Sequence, residues 1–174
     1  GKSTTIVAKS LGAQNITALA ARDQGRPRRD AFVGMLPPKL AQMMINMAVG
    51  DVLQGPQLQE QGRGQGWSRD ESQDHSQSQP PRPRLLDPFC GTGVLLQEAL
   101  LLGCSVYGTD LSDKMIRYTH DNLTWLHDTF HLANASDVSQ NRTSGTADFL
   151  LADGDAMTYQ WQKPLDAVVI EAYL

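Results

Sequence analysis

The chain has 174 residues, 40% of them hydrophobic, with a formal net charge of −4 and two cysteines. That length fits one domain with a real core. The charge excludes a general electrostatic attraction to nucleic acid, and two cysteines make no disulfide framework, so a reducing compartment and a cytoplasmic location are expected. No apolar run approaches membrane-spanning length, the start does not read as a signal peptide, and Gly1 in place of Met points to a fragment or a processed chain.

In chain order, residues 1–34 mix small, polar and basic residues without a strong period. Gly1-Lys2-Ser3-Thr4 has the ending of a phosphate-binding loop but lacks its earlier glycine and lead-in strand. Arg22, Arg26, Arg28 and Arg29 are the one dense basic cluster, read as a solvated face or as an RNA-phosphate contact. Pro37-Pro38 open a helix where proline is tolerated, Leu40, Met43, Met44 and Met47 form its apolar stripe, and Gly50 is placed to end it. Residues 54–83 are dominated by Gln, Gly, Ser, Pro and Arg and are expected to form a flexible insertion. Trp67 within it reads as an incidental exposed aromatic.

Arg84-Leu85-Leu86 then lead into Asp87-Pro88-Phe89-Cys90-Gly91-Thr92-Gly93, followed by the apolar run Val94 to Leu102. This is strand, tight glycine turn, helix. Gly91 and Gly93 let backbone approach a ligand, and free N–H groups at the helix start favour a carboxylate or phosphate. A dinucleotide fingerprint needs a third small residue for close helix–strand packing. Leu96 stands there and argues against a nicotinamide oxidoreductase. Asp87 at the strand end suits an ammonium instead. S-adenosylmethionine, with an ammonium, a carboxylate and a ribose diol, fits these features.

Gly103 caps that helix, and Cys104 to Thr109 read as a second strand ending at Asp110, about 20 positions past the glycine turn, where a ribose diol is gripped in nucleotide-binding units. The alternative is that Asp110 and Ser112 only start the next helix. Met115, Thr119, Leu123 and Leu126 mark that helix's buried face. Residues 127–146 read as a polar loop. His120, His127 and His131 lack acidic or cysteine partners at ligand spacing, so they read as surface histidines and no metal is expected. Asn134-Ala135-Ser136 and Asn141-Arg142-Thr143 match glycosylation sequons, which carry little weight in an intracellular protein.

Phe149 to Ala152 enter Asp153-Gly154-Asp155-Ala156, and Ala167 to Ile170 enter Glu171-Ala172-Tyr173-Leu174. Four expected strands thus end in carboxylates: Asp87, Asp110, Asp153 or Asp155, and Glu171. Alternation with helices implies a parallel α/β sheet, whose ligands bind outside the carboxyl ends of the strands.

Two stretches carry a family resemblance. Arg29 to Gln42, including Met35-Leu36-Pro37-Pro38-Lys39-Leu40-Ala41, resembles the cofactor-side helix of the archaeal and eukaryotic tRNA guanine-N2 methyltransferases, which are class I S-adenosylmethionine-dependent enzymes. Leu85 to Leu126 resembles their cofactor core, through Asp87 to Gly93, Gly108-Thr109-Asp110 and Asn122-Leu123-Thr124-Trp125-Leu126, with Asp155-Ala156 a weaker match. Together these cover about a third of the chain. The resemblance implies a Rossmann-like methyltransferase fold, a parallel sheet with flanking helices that is incomplete at its C-terminus, since the family has seven strands. It divides the chain into an N-terminal segment with the cofactor-side helix (1–53), the insertion (54–83) and the methyltransferase core (84–174), and implies an RNA-capture domain outside the chain.

By the same resemblance, Asp87, Pro88, Phe89, Gly91 and Gly93 contact the methionine portion of S-adenosylmethionine, Asp110 and Leu111 the ribose side, and Asp155 and Ala156 the adenine edge. Where the family has Asp-Pro-Pro-Tyr, this chain has Glu171-Ala172-Tyr173-Leu174. Glu171 would accept from a base amine and Tyr173 would stack on the base, but the rigid proline turn is missing. The implied activity is methyl transfer to an exocyclic amine of RNA, with tRNA guanine N2 favoured. The alternatives are a DNA amino-methyltransferase, or a catalytically inactive cofactor-binding module or partner subunit.

Overall fold

A computed structural model describes residues 7–10, 12–32, 36–53, 82–130, 149–161 and 164–171. Gly1 to Thr4, Val33 to Met35, residues 54–81 with Trp67, His131, both sequons and Tyr173 lie outside the described residues. The elements are α1 (Ile16–Gln24), α2 (Pro38–Leu53), β1 (Arg84–Asp87), α3 (Val94–Leu101), β2 (Ser105–Asp110), α4 (Asp113–Phe130), β3 (Phe149–Asp153) and β4 (Ala167–Val168).

The strands form a parallel sheet in the order β3-β2-β1-β4. Strands alternating with helices in this way give the expected Rossmann-like α/β arrangement. The chain leaves β1 toward β2 and β3, then returns on the other side of β1 to β4. The reversal falls between β1 and β4, and folds of this kind bind ligands outside the carboxyl ends of the strands at such a point.

Register assigns the two faces of the sheet. Leu85 pairs with Val106 and Ala167, and Val106 with Phe149. Successive residues alternate in direction, so these share one face with Asp87, Gly108 and Leu151. That face meets the helices: Leu85, Val106 and Val169 share a buried core with Ala41, Ile45 and Val49 of α2, Leu95, Leu96 and Ala99 of α3, and Leu123 of α4. Leu86 and Tyr107 point the other way. There the segment after β3 covers Tyr107, with the Tyr159 and Trp161 rings 6.3 Å and 5.8 Å from it.

Several expectations are corrected. Residues 1–34 contain a helix, α1, started by the Asn15 side chain accepting from the Ala18 N–H at 3.0 Å. It is held less by an apolar stripe than by Arg22, whose guanidinium bonds Glu98 of α3 at 2.6 Å and 3.1 Å. The basic cluster is therefore not one solvated face: Arg22 and Arg26 are buried, while Arg28 pairs with Asp121. The buried row of α2 is Ala41, Ile45 and Val49, and Leu40, Met43 and Met47 are exposed. This helix is apolar on more than one side, and its smaller i, i+4 row allows α3 to approach closely. Gly50 does not end α2, which runs on to Leu53, and α4 continues to Phe130 through residues expected to be loop.

The fourth strand has two residues where four were expected. Asp166 and Val169 still donate to the carbonyls of Arg84 and Leu86 at 2.9 Å. Beyond that the neighbouring strand offers Pro88, which has no N–H to continue the ladder.

Candidate active site

The turn after β1 is fixed from three sides. The Cys90 N–H donates to the Thr109 carbonyl at 2.8 Å, and the Thr109 hydroxyl donates to the Pro88 carbonyl at 3.0 Å, so β2 holds the first half. The Gly93 N–H closes the turn on the Cys90 carbonyl at 2.7 Å. Helix α4 holds the back: Thr119 Oγ1 donates to the Gly91 carbonyl at 2.8 Å and Asn122 Nδ2 to the Thr92 carbonyl at 2.9 Å. Gly91 and Gly93 have φ of 52° and 82°, a region that glycine enters without strain. A β-carbon on Gly93 would also lie 2.7 Å from Thr119 Cγ2, so helix packing demands this glycine as much as ligand access does.

Asp87 is 2% exposed and its Oδ1 accepts from the Phe89 N–H at 3.1 Å. Burial raises its pKa to about 7, against the pull of that N–H, and the nearby Asp110 and Glu171 carboxylates push it up further. Among the described residues no cationic side chain pairs with it. Asp110 is half-buried at the end of β2 and ties two backbone segments, accepting from the Gly91 N–H through Oδ2 and the Ser112 N–H through Oδ1, both at 2.9 Å. Asp110 thus steadies both the glycine turn and the start of α4.

Helix α3 begins without a side-chain cap and without an acidic residue in its first turn. Its first amides, up to the Gln97 N–H that bonds the Gly93 carbonyl at 2.9 Å, face the crevice end unneutralised. Cys90 is buried and bonded to Thr119, and burial pushes its thiol far above the ordinary range, so it stays protonated in the turn.

The remaining expected residues lie at the same edge with different exposure. Phe89 is 47% and Leu111 79% exposed, both on the rim, and Pro88 is buried beneath. The Gly154 N–H donates to the Asp110 carbonyl at 3.0 Å, which brings the end of β3 beside the end of β2. Asp153 and Asp155 are exposed and Ala156 is half-buried. Asp155 Oδ1 accepts from the Met157 N–H at 2.9 Å, so its carboxylate also closes its own turn. Glu171 is exposed and near enough to Asp87 to act on its charge, which gathers the ends of β1, β2 and β4 around one point. Tyr173 lies outside the described residues. Among the described residues no group of three or more His, Cys, Asp or Glu side chains gathers to hold a metal, and no helix is long and apolar enough to cross a membrane.

Sequence reasoning missed the backing of the turn. Thr119 counts as an apolar-face residue by spacing alone, and Asn122 stands next to Leu123 on a face that is otherwise buried. A polar amide in that position was the available signal.

The methyltransferase domain family matches residues 85–173, half of the chain, from the first strand through the Glu171 segment. The chain belongs to that family. Over 154 residues it is 27% identical to tRNA (guanine(10)-N2)-dimethyltransferase of Methanothermobacter thermautotrophicus, covering 86% of this chain and 31% of that protein. Over 59 residues it is 41% identical to a Methanothermococcus thermolithotrophicus protein named "Probable tRNA (guanine(10)-N2)-dimethyltransferase", covering 31% of this chain and 36% of that one. The chain thus spans about a third of the length of the curated relatives it matches. A solved Pyrococcus horikoshii structure described as an RNA methyltransferase aligns with a TM-score of 0.46 and 15% identity, over 86% of this chain and 56% of that one.

Proposed function

We propose that this chain carries the S-adenosylmethionine site of an RNA methyltransferase whose acceptor is an exocyclic base amine, guanine N2 of tRNA being favoured. The observation that carries the reading is Asp87: a buried carboxyl with one backbone N–H and no cationic partner among the described residues, beside an uncapped helix start. That pairing suits a ligand bearing an ammonium and a carboxylate side by side. The methionine end of S-adenosylmethionine has both. The relatives named for tRNA guanine-N2 methylation support the substrate class.

When bound, S-adenosylmethionine supplies a methyl group already activated by its sulfonium, so the work left to the protein is alignment. Asp87 would hold the ammonium in its ionised form, and the α3 amides would hold the carboxylate. Asp110 has lone pairs left beyond its two backbone bonds and would accept from the ribose hydroxyls. Phe89 and Leu111 would shield the crevice from water. Glu171 would accept a hydrogen bond from the base amine and orient its lone pair, and Tyr173 would stack on the base.

The test is calorimetric titration of the chain with S-adenosylmethionine, beside Asp110→Ala and a titration with NAD. Binding weakened by about 10–100-fold in the variant, with no NAD binding, is expected. A folded chain that binds NAD, or binds neither ligand, would sink the reading. Transfer of labelled methyl to tRNA rather than DNA tests the acceptor. Glu171-Ala172-Tyr173 in place of the proline turn favours a second reading, a cofactor-binding module without turnover, which predicts binding without transfer to either nucleic acid even by the full-length protein.

A further inference from the structure

Asn122 is fully buried on α4, in the row that also buries Thr119, Leu123 and Leu126. A carboxamide there is destabilising unless all its groups are bonded. Oδ1 accepts from the Arg28 N–H at 2.9 Å, while Nδ2 donates to the Arg28 carbonyl and to the Thr92 carbonyl, both at 2.9 Å. One acceptor meets one donor and two hydrogens meet two carbonyls, so the reversed amide orientation would break every bond. The side chain thereby joins three segments far apart in sequence: α4, the turn between Gly91 and Gly93, and the connection from α1 to α2.

That connection is a strap laid along α4. Arg28 pairs with Asp121 at 2.7 Å and Asp30 with Lys114 at 2.9 Å, and the Arg28 and Lys114 cations lie over the Tyr118 ring. From Arg28 to Asp30 it runs toward the start of α4, beside the end of β2, and so climbs to the carboxyl edge of the sheet. Exposed ion pairs of this kind hold it weakly. The buried bonds to Asn122 are different, because the same amide also grips the turn. With Thr119 on the Gly91 carbonyl and Asn122 on the Thr92 carbonyl, both oxygens point to α4. In a trans peptide the N–H opposes the carbonyl, so the Thr92 N–H is turned away from α4.

We infer that Asn122 is a positioning residue that couples docking of the Arg28–Asp30 strap to the shape of the cofactor turn. This rests on the turn being the S-adenosylmethionine site. The two-site linkage is reciprocal: a docked strap favours the ligand-ready turn, and a bound ligand favours the docked strap.

Three measurements on the full chain test it. In Asn122→Ala, S-adenosylmethionine affinity should fall on the order of tenfold, while Asp121→Ala, which breaks only the exposed Arg28 pair, should stay within about twofold. A folded Asn122→Ala variant with unchanged affinity would overturn the inference, since a merely structural role lowers the melting temperature without changing what the folded protein binds. If that variant does not fold, the unmutated chain decides: ligand should slow hydrogen exchange at the Arg28 amide, whose acceptor is Asn122, and unchanged exchange there would overturn the coupling. If the unmutated chain binds no S-adenosylmethionine, the cofactor reading fails by itself. Faster exchange of the Gly91 and Gly93 amides in ligand-free Asn122→Ala than in the unmutated chain would still support the latch, and equal exchange would refute it.

Discussion

Leu96 of α3 occupies the space that a β-carbon on Gly108 of β2 would need. Such a carbon would lie 2.4 Å from Leu96 Cδ1, 3.0 Å from Leu151 Cδ2 and 3.3 Å from Cys90 Cβ. In dinucleotide-binding folds the close approach of helix to strand is secured by a small residue on the helix. Here the missing volume is on the strand, and a fully buried leucine fills it from the helix. Leu96 thus stands where the dinucleotide pattern has a small residue, and Gly108 makes that leucine compatible with tight packing.

Gly108→Ala should accordingly destabilise the fold by about 1–3 kcal/mol through overpacking. The nearest atom is the end of a side chain, so the loss in the double variant with Leu96→Ala should be smaller than the sum of the two single losses. Urea midpoints of the two single variants and the double variant give the coupling. Simple additivity would mean that the contact does not set the spacing.

The strand ends and the glycine turn were legible because each is written in contiguous residues: Asp87 to Gly93, the run into Asp110, and the buried face of α4. What escaped depends on partners distant in sequence. Helix α1 is tied down by Arg22 reaching Glu98, 76 positions away, and no periodicity in residues 1–34 signals that bond. The stripe of α2 was misassigned because methionines at helical spacing outweighed the smaller Ala41, Ile45 and Val49, whose burial is decided by how close α3 comes. Asn122 was quoted for its place in a motif, while its role is fixed by the Arg28 and Thr92 backbone.

Asp87 should give stability a pH dependence of unusual sign. Its folded pKa is about 7, against about 3.9 for an unfolded aspartate. Between those values the unfolded chain has released the proton and the folded chain retains it. The contribution of Asp87 is thus complete below about pH 4 and is lost as pH rises to about 7. Compared with Asp87→Asn, the unmutated chain should lose stability over that window in thermal unfolding. Parallel profiles would place the folded Asp87 pKa near its unfolded value.

The same proton opposes a cationic ligand. If Asp87 receives the ammonium of S-adenosylmethionine, binding below pH 7 must displace the proton, and affinity should rise with pH by at most about tenfold per unit until it levels near 7. Calorimetry in buffers of different ionisation enthalpy would read the released proton directly. A pH-independent affinity would move the ammonium away from Asp87.

Asp110→Ala should act on two properties at once. Removing the carboxylate leaves the Gly91 and Ser112 N–H groups without their acceptor, which should lower stability by about 1–3 kcal/mol. Cofactor affinity should fall by about 10–100-fold, the range for a hydrogen bond to a charged group. A variant with lowered stability and undiminished affinity would leave Asp110 as a turn residue alone.

Arg26 and Glu98 should respond in opposite directions to neutral replacement. Glu98 is 1% exposed and receives Arg22 on both oxygens and Gln42 Nε2 at 2.7 Å. Glu98→Ala would leave buried guanidinium charge uncompensated, for a loss of about 3–5 kcal/mol. Arg26 is 3% exposed, and its three guanidinium nitrogens have no hydrogen-bond partner among the described residues. Burial, reinforced by Arg29, holds its pKa below the usual value, and Glu98 attracts it without bonding it. Arg26→Met keeps an unbranched stem and removes the unsatisfied charge, so the folded state should gain about 1–3 kcal/mol in urea unfolding. A loss of stability on that substitution would mean that the guanidinium is satisfied in solution, by water or by an anion drawn in beside it.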